Sequence, residues 1–452
     1  MICVSLPGPT SDDLWRQIHE SQEYADLFEF RCDLYRGVVK DVIARCPLPK
    51  IVCHHGCLET MRSLAELEPE YIDLDQSVSM DFQNQFSSKT KIIRSIHDFD
   101  ETPRDLEGIF TSLTRYPADI YKIASHANST LDSLRLLCFS RTVNVPLTVV
   151  AMGELGHCSR ILGASFGAPI VYASPNEGET TAPGQISAKA LRSIYSLQKD
   201  LKLYGLIGDP VSQSYGHLFH NAYMKSQEAI YVRLRIRKEE LSDFFSLATK
   251  IGFSGLSVTI PHKEAIFPYL EHIDERSHGI GAVNTITYQN NGYVGTNTDA
   301  VASIDALGVP VDGKTIAVIG AGGAARAIVY EATKRGARVV IVNRNHDKAE
   351  RLGQEYGCVA VKQEELSSYD ILINATPNPM PIESQFIHPN IIAMDISTAP
   401  DTEILQIVRE KGGTSINGRE MFERQARMQA LEWGLYPNKF KNRFSAAPKP
   451  RD

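Results

Sequence analysis

The stretch TIAVIGAGGAARAIVYEATKRGARVVIVNRNHDK, Thr315 to Lys348, leaves the chain few ways to fold. Thr315 to Ile319 is a β-branched apolar run that stops at Gly320-Ala321-Gly322-Gly323, and the residues from Ala324 onward are helix formers with an apolar face. The order is therefore strand, tight turn, helix, and the second apolar run, Arg338 to Val342, completes a βαβ unit. Glycines at such a turn let bare amides approach a pyrophosphate at the positive end of the new helix. After the second strand an NAD site would present a carboxylate to the ribose hydroxyls. This chain has Asn343-Arg344 followed by Lys348, cations suited to a 2′-phosphate, so the expected cofactor is NADP(H).

A chain of 452 residues exceeds one hydrophobic core, and two to four domains are expected. The 47 basic and 54 acidic residues leave a net charge of -7, which gives no electrostatic reason for a nucleic acid or an anionic membrane as partner. No apolar run approaches the roughly 20 residues of a spanning helix, and Met1 leads into Ile2 to Leu6 without a basic leader, so a cytoplasmic protein is expected. Eight scattered cysteines favour reduced, packed thiols. Cys53-His54-His55-Gly56-Cys57 has no second ligand cluster at metal spacing, and no metal site is expected.

In the first 200 residues short apolar runs recur: Ile2 to Leu6, Leu27 to Arg31, Ile51 to His54, Tyr71 to Leu74, Ile92 to His97, Ile120 to Ala124, Leu147 to Met152 and Ile170 to Ala173. Stretches of helical length separate most of them, which predicts a (β/α)8 barrel with some abbreviated helices. Chemistry in such a barrel gathers at the strand ends. Those ends and the loops after them carry Glu29, Arg31, His97, Lys122, Arg160, Thr181 and Gln185. An inward Lys122 in Ile120-Tyr121-Lys122-Ile123-Ala124 would have a lowered pKa and act as a free-amine nucleophile toward a ketone. Considered singly, it fits a rim lysine snorkelling to water better.

Six segments in order decide between these readings. Glu29-Phe30-Arg31-Cys32-Asp33, Arg62-Ser63-Leu64-Ala65-Glu66, Ser95-Ile96-His97-Asp98-Phe99, Tyr121-Lys122-Ile123-Ala124, Met152-Gly153-Glu154-Leu155-Gly156 through Ser159-Arg160, and Ala182-Pro183-Gly184-Gln185 resemble the ordered motifs of type I 3-dehydroquinate dehydratases. The resemblance implies that Lys122 forms an imine with the substrate ketone. It gives His97 the proton next to the imine, returned to the departing hydroxyl. It also implies that Glu29 and Glu66 orient His97 and the substrate hydroxyls, that Arg31, Arg62 and Arg160 supply positive charge, and that Thr181 and Gln185 close the substrate site. Arg160 is expected on the substrate carboxylate. Thr181 stands where that family commonly has serine.

The second half opens on Tyr204-Gly205-Leu206-Ile207-Gly208-Asp209-Pro210-Val211-Ser212-Gln213-Ser214, with His220-Asn221 on the following helix. Gly255 to Ile260 reads as a strand ending at Pro261-His262-Lys263, and Gly281 to Tyr288 turns at Asn290-Asn291-Gly292 into Tyr293 to Thr296, a hairpin that delivers Asn297-Thr298-Asp299. These segments, with the glycine-rich unit after them, resemble shikimate dehydrogenases from about residue 203 to about residue 435. The resemblance implies a catalytic pair of Lys263 and Asp299, and substrate contacts from Ser212, Ser214, Thr259, Asn284 and Gln425. It implies cofactor contacts from Gly320, Ala321, Gly322, Gly323, Ala324, Asn343, Arg344, Lys348 and Thr376. Three positions depart from the family: Gly216 where a second serine is usual, Thr398 where tyrosine commonly follows Asp395, and Pro379 where glycine is expected before Met380.

The expected architecture is α/β: a (β/α)8 TIM barrel over residues 1–200, a shikimate-binding α/β domain over 203–305 completed by the helix 418–435, and a Rossmann NADP-binding domain over 306–417. Together the two resemblances imply an enzyme of aromatic biosynthesis that dehydrates 3-dehydroquinate and reduces the 3-dehydroshikimate formed to shikimate. Its partners are these small molecules; an oligomeric state does not follow from the sequence. A reductase half preferring dehydroquinate and quinate, given the room at Gly216, and a metabolite sensor without turnover are the alternatives. Intact Lys122, His97, Lys263 and Asp299 argue against the sensor.

Overall fold

The computed structural model describes residues 1–36 and 39–435. The chain divides into two compact units, one of Met1–Gly205 with Asn221–Phe253, the other of Leu206–His220 with the chain from Ser254 onward.

In the first unit eight strands follow the expected runs to within one or two residues: β1 (Ile2–Leu6), β2 (Leu27–Arg31), β3 (Lys50–Cys53), β4 (Tyr71–Asp75), β5 (Lys91–Asp98), β6 (Ile120–His126), β7 (Leu147–Met152) and β8 (Val171–Ala173). Every neighbouring pair is parallel, in the order β7-β6-β5-β4-β3-β2-β1-β8. The result is a nearly closed (β/α)8 barrel with its seam between β7 and β8, where Thr148 Oγ1 donates to Ile170 O at 3.2 Å. The short chain is accommodated in the helices: Met80–Gln83 has 4 residues, and Lys40–Arg45 and His157–Leu162 have 6 each.

Side chains of a strand alternate between its two faces, so positions two apart line the same face. Cys3, Leu27, Ile51, Tyr71, Ile93, Ile120 and Ile170 pack together as an apolar floor inside the ring. Two residues further along each strand stand Ser5, Glu29, Cys53, Asp73, Ser95, Lys122 and Tyr172, all buried. The barrel thus carries a polar layer directly above its floor, toward the C-terminal strand ends where barrel enzymes place their sites. The same unit also holds β10 (Ala229–Arg235), which follows β9 (Lys202–Gly208), and the helix Leu241–Ile251, whose last carbonyl accepts from Arg141 Nη1 at 2.9 Å.

In the second unit β11 (Phe253–Val258) pairs antiparallel with β13 (Thr285–Gln289), β13 pairs antiparallel with β14 (Gly292–Thr296), and β12 (His272–Ile273) runs parallel to β14. The expected hairpin turns at Asn290 and Asn291, whose φ angles of 51° and 64° are those that a tight two-residue hairpin loop requires. The next sheet is wholly parallel: β15 (Thr315–Ile319), β16 (Arg338–Val342), β17 (Val359–Ala360), β18 (Ile371–Asn374), β19 (Ile392–Asp395) and β20 (Thr414–Asn417), in the order β17-β16-β15-β18-β19-β20. This is the Rossmann order, which reverses between β15 and β18, the place where such sheets bind their ligands.

The helix Gly418–Glu432 then returns to β11 and β13. Trp433, just past its end, donates from Nε1 to Ile286 O at 3.0 Å, and its ring fills the space over Gly255, where a Cβ would come within 2.4 Å of Nε1. Among the described residues no helix is long and apolar enough to cross a membrane.

Candidate functional site

The barrel cavity is lined by Glu29, Arg31, His97, Lys122, Arg160, Thr181 and Gln185, as the sequence predicts, and also by Ser5, His55, Phe99 and Tyr172. Lys122 lies at its floor. Its Nζ is hydrogen-bonded to Asp73 Oδ2, stands 3.8 Å from Glu29 Oε1 and lies 4.9 Å from the centre of the Tyr172 ring. Glu29 in turn accepts from Ser5 Oγ at 2.5 Å.

These partners correct the expected free amine. Burial alone would lower the Lys122 pKa, but the charges of Asp73 and Glu29 outweigh it and raise the pKa above that of an ordinary lysine. The resting side chain is an ammonium, and it must hand off a proton before attacking a ketone. Asp73, which touches Nζ, is placed to take that proton.

His97 behaves in the opposite way. Burial first, and the Lys122 charge second, push its pKa down to about 3, so it is a neutral imidazole at neutral pH. Its ring meets that of His55 edge-on at 5.1 Å and stacks on Phe99 at 5.9 Å. Arg160, on the short helix after β7, is 4% exposed, and its Nε has no hydrogen-bond partner; burial pulls its pKa down to about 10, against the pull of Glu29. A buried guanidinium nitrogen with nothing to donate to is costly unless an anion arrives. Arg31 is held by Asp33 through two contacts of 2.8 and 3.0 Å, and Gln185 Oε1 accepts from the Thr181 amide at 2.8 Å and its hydroxyl at 3.2 Å.

Two expected residues stay away from this cavity. The helix Leu58–Ala65 lies outside the strand ring, and it turns Arg62 to solvent, against Gln85 Oε1 at 3.1 Å and over the Phe82 ring at 5.7 Å. Glu66, just past the helix, stands 3.7 Å from Lys40 Nζ and does not reach His97. Asp73 and His55 occupy the neighbourhood assigned to them. Asp73 was legible in Tyr71-Ile72-Asp73-Leu74-Asp75, because two-residue alternation puts Tyr71 and Asp73 on one face; nothing comparable marked His55.

In the second unit Lys263 Nζ is hydrogen-bonded to Asp299 Oδ2 at the N-terminus of the helix Asp299–Ala306. Asn284 is buried beside this pair and fully engaged. Its Nδ2 donates to Thr298 Oγ1 at 3.0 Å and Gln425 Oε1 at 3.3 Å, and its Oδ1 accepts from the Thr298 amide and Thr285 Oγ1, each at 2.8 Å. Gln425 is therefore brought to the site by the returning helix, as expected. Gln429, one turn later on the same face, was missed: it accepts from Ser257 Oγ at 3.0 Å and donates to Asn284 O at 3.1 Å and Thr285 Oγ1 at 3.0 Å. Ser214 Oγ accepts from the Gly216 amide at 3.1 Å, Ser212 is exposed on the same loop, and the Thr259 amide donates to Ile207 O at 3.0 Å.

The glycine-rich turn fits a dinucleotide. Gly320, with φ of 122°, sits where a Cβ would press on Ala375 O at 3.1 Å and Thr376 Cγ2 at 3.2 Å. A Cβ on Gly322 would meet nothing within 4 Å, an open cradle at the start of the helix Gly323–Lys334, whose first amides no side chain caps. Ala321 and Ala324 flank that cradle in the chain, and a Cβ on Gly323 would stand 3.0 Å from Lys263 Cβ, so the turn adjoins the Lys263–Asp299 pair. Asn343 Nδ2 donates to Asn345 O at 2.8 Å, while Arg344 and Lys348 are exposed at the end of β16 and on the helix after it. Thr376 Oγ1 donates to Asn374 Oδ1 at 2.8 Å, at the end of β18 beside the crevice. Among the described residues no three His, Cys, Asp or Glu converge as metal ligands.

Residues 2–202 match the family model for type I 3-dehydroquinase, residues 206–286 that for the shikimate dehydrogenase substrate binding domain, and residues 305–396 that for shikimate / quinate 5-dehydrogenase. The chain is 31% identical to the bifunctional 3-dehydroquinate dehydratase/shikimate dehydrogenase of Arabidopsis thaliana, over 94% of this chain and 80% of that one. It is 35% identical to a shikimate dehydrogenase (NADP(+)) of Shouchella clausii over 52% of this chain and 94% of the relative. The crystal structure of shikimate dehydrogenase from Aquifex aeolicus superposes with a TM-score of 0.50 at 31% identity, covering 54% of this chain and 97% of that one. The barrel with its buried lysine and the Rossmann unit with its Lys263–Asp299 pair thus lie in a chain that belongs to the family of bifunctional 3-dehydroquinate dehydratase/shikimate dehydrogenases.

Proposed function

We propose that the barrel dehydrates 3-dehydroquinate through an imine on Lys122, and that the second half reduces 3-dehydroshikimate to shikimate with NADPH. The observation that carries this reading is Lys122 itself, buried between two carboxylates beneath a neutral His97 and an unsatisfied Arg160. In the proposed sequence Asp73 takes the Lys122 proton, the amine adds to the substrate ketone, and loss of water gives a protonated imine. That imine acidifies the neighbouring carbon; neutral His97 removes its proton and returns it to the leaving hydroxyl, and water then hydrolyses the imine to release 3-dehydroshikimate and regenerate the Lys122 amine. Arg160 binds the substrate carboxylate, with Arg31, Glu29, Thr181 and Gln185 on its hydroxyls.

In the second half Lys263, hydrogen-bonded to Asp299, gives its proton to the oxygen of the ketone as that oxygen gains charge. Ser212, Ser214, Thr259, Asn284 and Gln425 hold the ring. The bound NADPH supplies the hydride. The open cradle at Gly322 and the uncapped helix behind it suit the pyrophosphate, and Arg344 and Lys348, with Asn343, suit the 2′-phosphate. Both cations are exposed, so each contributes modestly: Arg344→Gln should raise KM for NADP+ about fivefold and leave KM for NAD+ unchanged, as steady-state kinetics with the two cofactors would register.

This reading assigns the barrel to residues 1–200, the substrate domain to 203–305 with the helix 418–435, and the cofactor domain to 306–417. A cytoplasmic location agrees with eight free thiols. Incubation with 3-dehydroquinate and NADPH tests the whole: a chromatogram should show shikimate. Quinate instead would move the second half to the quinate reading, and 3-dehydroshikimate alone would leave only the barrel active. Unchanged 3-dehydroquinate would overturn the catalytic reading of the barrel.

A further inference from the structure

A cleft of about 270 Å³ in the second unit is lined by Tyr215, Leu218, Phe219, Thr398, Arg419 and Phe422, with Glu423 also on its wall. We infer that Arg419 in this cleft grips the carboxylate of the substrate ring and sets the preference of the dehydrogenase half for an acid. The inference rests on the proposed dehydrogenase reading and extends it to a residue that neither the sequence motifs nor the Lys263–Asp299 pair includes.

Three observations support it. The first is position: Tyr215 lies between Ser214 and Gly216 on the loop that begins the helix Gly216–Met224, while Arg419 and Phe422 lie on the helix that carries Gln425. The cleft therefore joins the two elements that hold the candidate ring-binding side chains. The second is charge. Of the two charged residues on the wall, Glu423 is neutralised by Arg427 at 3.0 Å, whereas Arg419 has no carboxylate within ion-pair distance among the described residues; its guanidinium lies 5.7 Å from the centre of the Tyr215 ring. The cleft thus keeps one uncompensated positive charge over an aromatic wall, with Phe219 and Phe422 edge-to-face at 5.7 Å beside it.

The third is what the candidate site lacks. A ring carboxylate needs a charged or multiply donating partner. Lys263 is already paired with Asp299, the Asn284 amide is engaged at both ends, and the Ser214 hydroxyl, which accepts from the Gly216 amide, has a single uncharged O–H to give. Arg419 offers two parallel N–H groups for a bidentate contact. Tyr215 and Leu218 are 42% and 43% exposed, apolar surface that a bound ring would cover.

The test uses the full-length protein with Arg419→Met and Arg419→Lys, assayed for NADP+-dependent oxidation of shikimate and of its methyl ester, which lacks the charge. A lost charge-assisted contact predicts a KM for shikimate raised about tenfold or more in the methionine variant, kcat and KM for NADP+ within about threefold of wild type, and partial recovery with lysine. The wild type should prefer the acid to the ester, and Arg419→Met should lose most of that preference. Wild-type KM for shikimate in Arg419→Met, or an unchanged acid-to-ester ratio, would overturn the inference while leaving the dehydrogenase reading intact. If the unaltered protein oxidises neither shikimate nor quinate, that reading falls and the inference with it. An unchanged kcat and KM for NADP+ in each variant show that the dehydrogenase half, which carries Arg419, has folded.

Discussion

Lys122→Met abolishes dehydration, with kcat falling by about 10⁴ or more, while NADP+-dependent oxidation of shikimate continues at the wild-type rate. The size of the effect follows from the proposed covalent role: among the described residues no other amine lines the barrel cavity, so no imine forms. Borohydride added with 3-dehydroquinate should fix substrate mass to Lys122 in the wild type and nowhere in the barrel of the variant; labelling of another residue would sink the assignment. Removing the cation also leaves Asp73 and Glu29 buried without their counter-charge, an arrangement that costs about 3–5 kcal/mol when one partner of a buried pair is deleted.

The sign of the accompanying pH dependence is fixed. In the wild type burial would raise the Asp73 pKa, but Lys122 and then His97 hold it below the ordinary value, so Asp73 adds stability above the usual carboxylate range and that stability is lost in acid. In Lys122→Met burial dominates, the folded-state pKa rises above the unfolded one, and stability is instead lost as pH rises through it. Thermal melts should place the variant closest to wild type in acid, at and below the usual carboxylate range, and furthest from it at neutral and mildly alkaline pH.

Lys263→Met gives the second large effect, in the other half. The rate of shikimate oxidation should drop by about 10³, the range expected for a positioned acid–base group that donates in reduction and accepts in oxidation, with KM for shikimate moving only a few-fold and dehydration untouched. Asp299→Asn should produce a similar loss, because the Lys263 ammonium is then no longer oriented by a carboxylate. Retention of more than about a tenth of the wild-type rate in Lys263→Met would remove that residue from the proton transfer. A double mutant should lose little more than either single one, since the two groups act as one unit.

Much of the fold was legible because its signals are local. Eight short apolar runs separated by polar stretches specify barrel strands, and Gly320-Ala321-Gly322-Gly323 permits the turn observed, with Gly320 at a φ of 122° that other residues rarely adopt. Asn290-Asn291 likewise marks a tight hairpin, and both asparagines take the left-handed backbone that the turn demands. What escaped was set by long-range packing. Whether Arg62 and Glu66 face the cavity depends on which way a helix outside the ring rolls, and the segment alone does not contain that rotation. The Lys122 pKa went wrong for the same reason: the lysine was read on its own strand, whereas its charge state is decided by Asp73 and Glu29, contributed by strands 49 and 93 residues earlier in the chain. Asp73 lay within reach of the two-residue period, but single strands do not say which strands face each other. Gln429 was missed because a glutamine in a mixed helix looks solvated until β11 and β13 are set beneath it.

The helix Gly418–Glu432 has a temporal meaning. Chains leave the ribosome from the N-terminus, and every barrel strand has been made by residue 173, whereas β11 and β13 wait for Gln429 and Trp433, well over a hundred residues later. The two halves are consequently born unequal: the barrel strands can associate while the reductase is still being translated. The apolar face under Trp433 stays bare until synthesis has passed the entire cofactor domain, and it is during this interval that the nascent chain is most open to misassociation or to a chaperone.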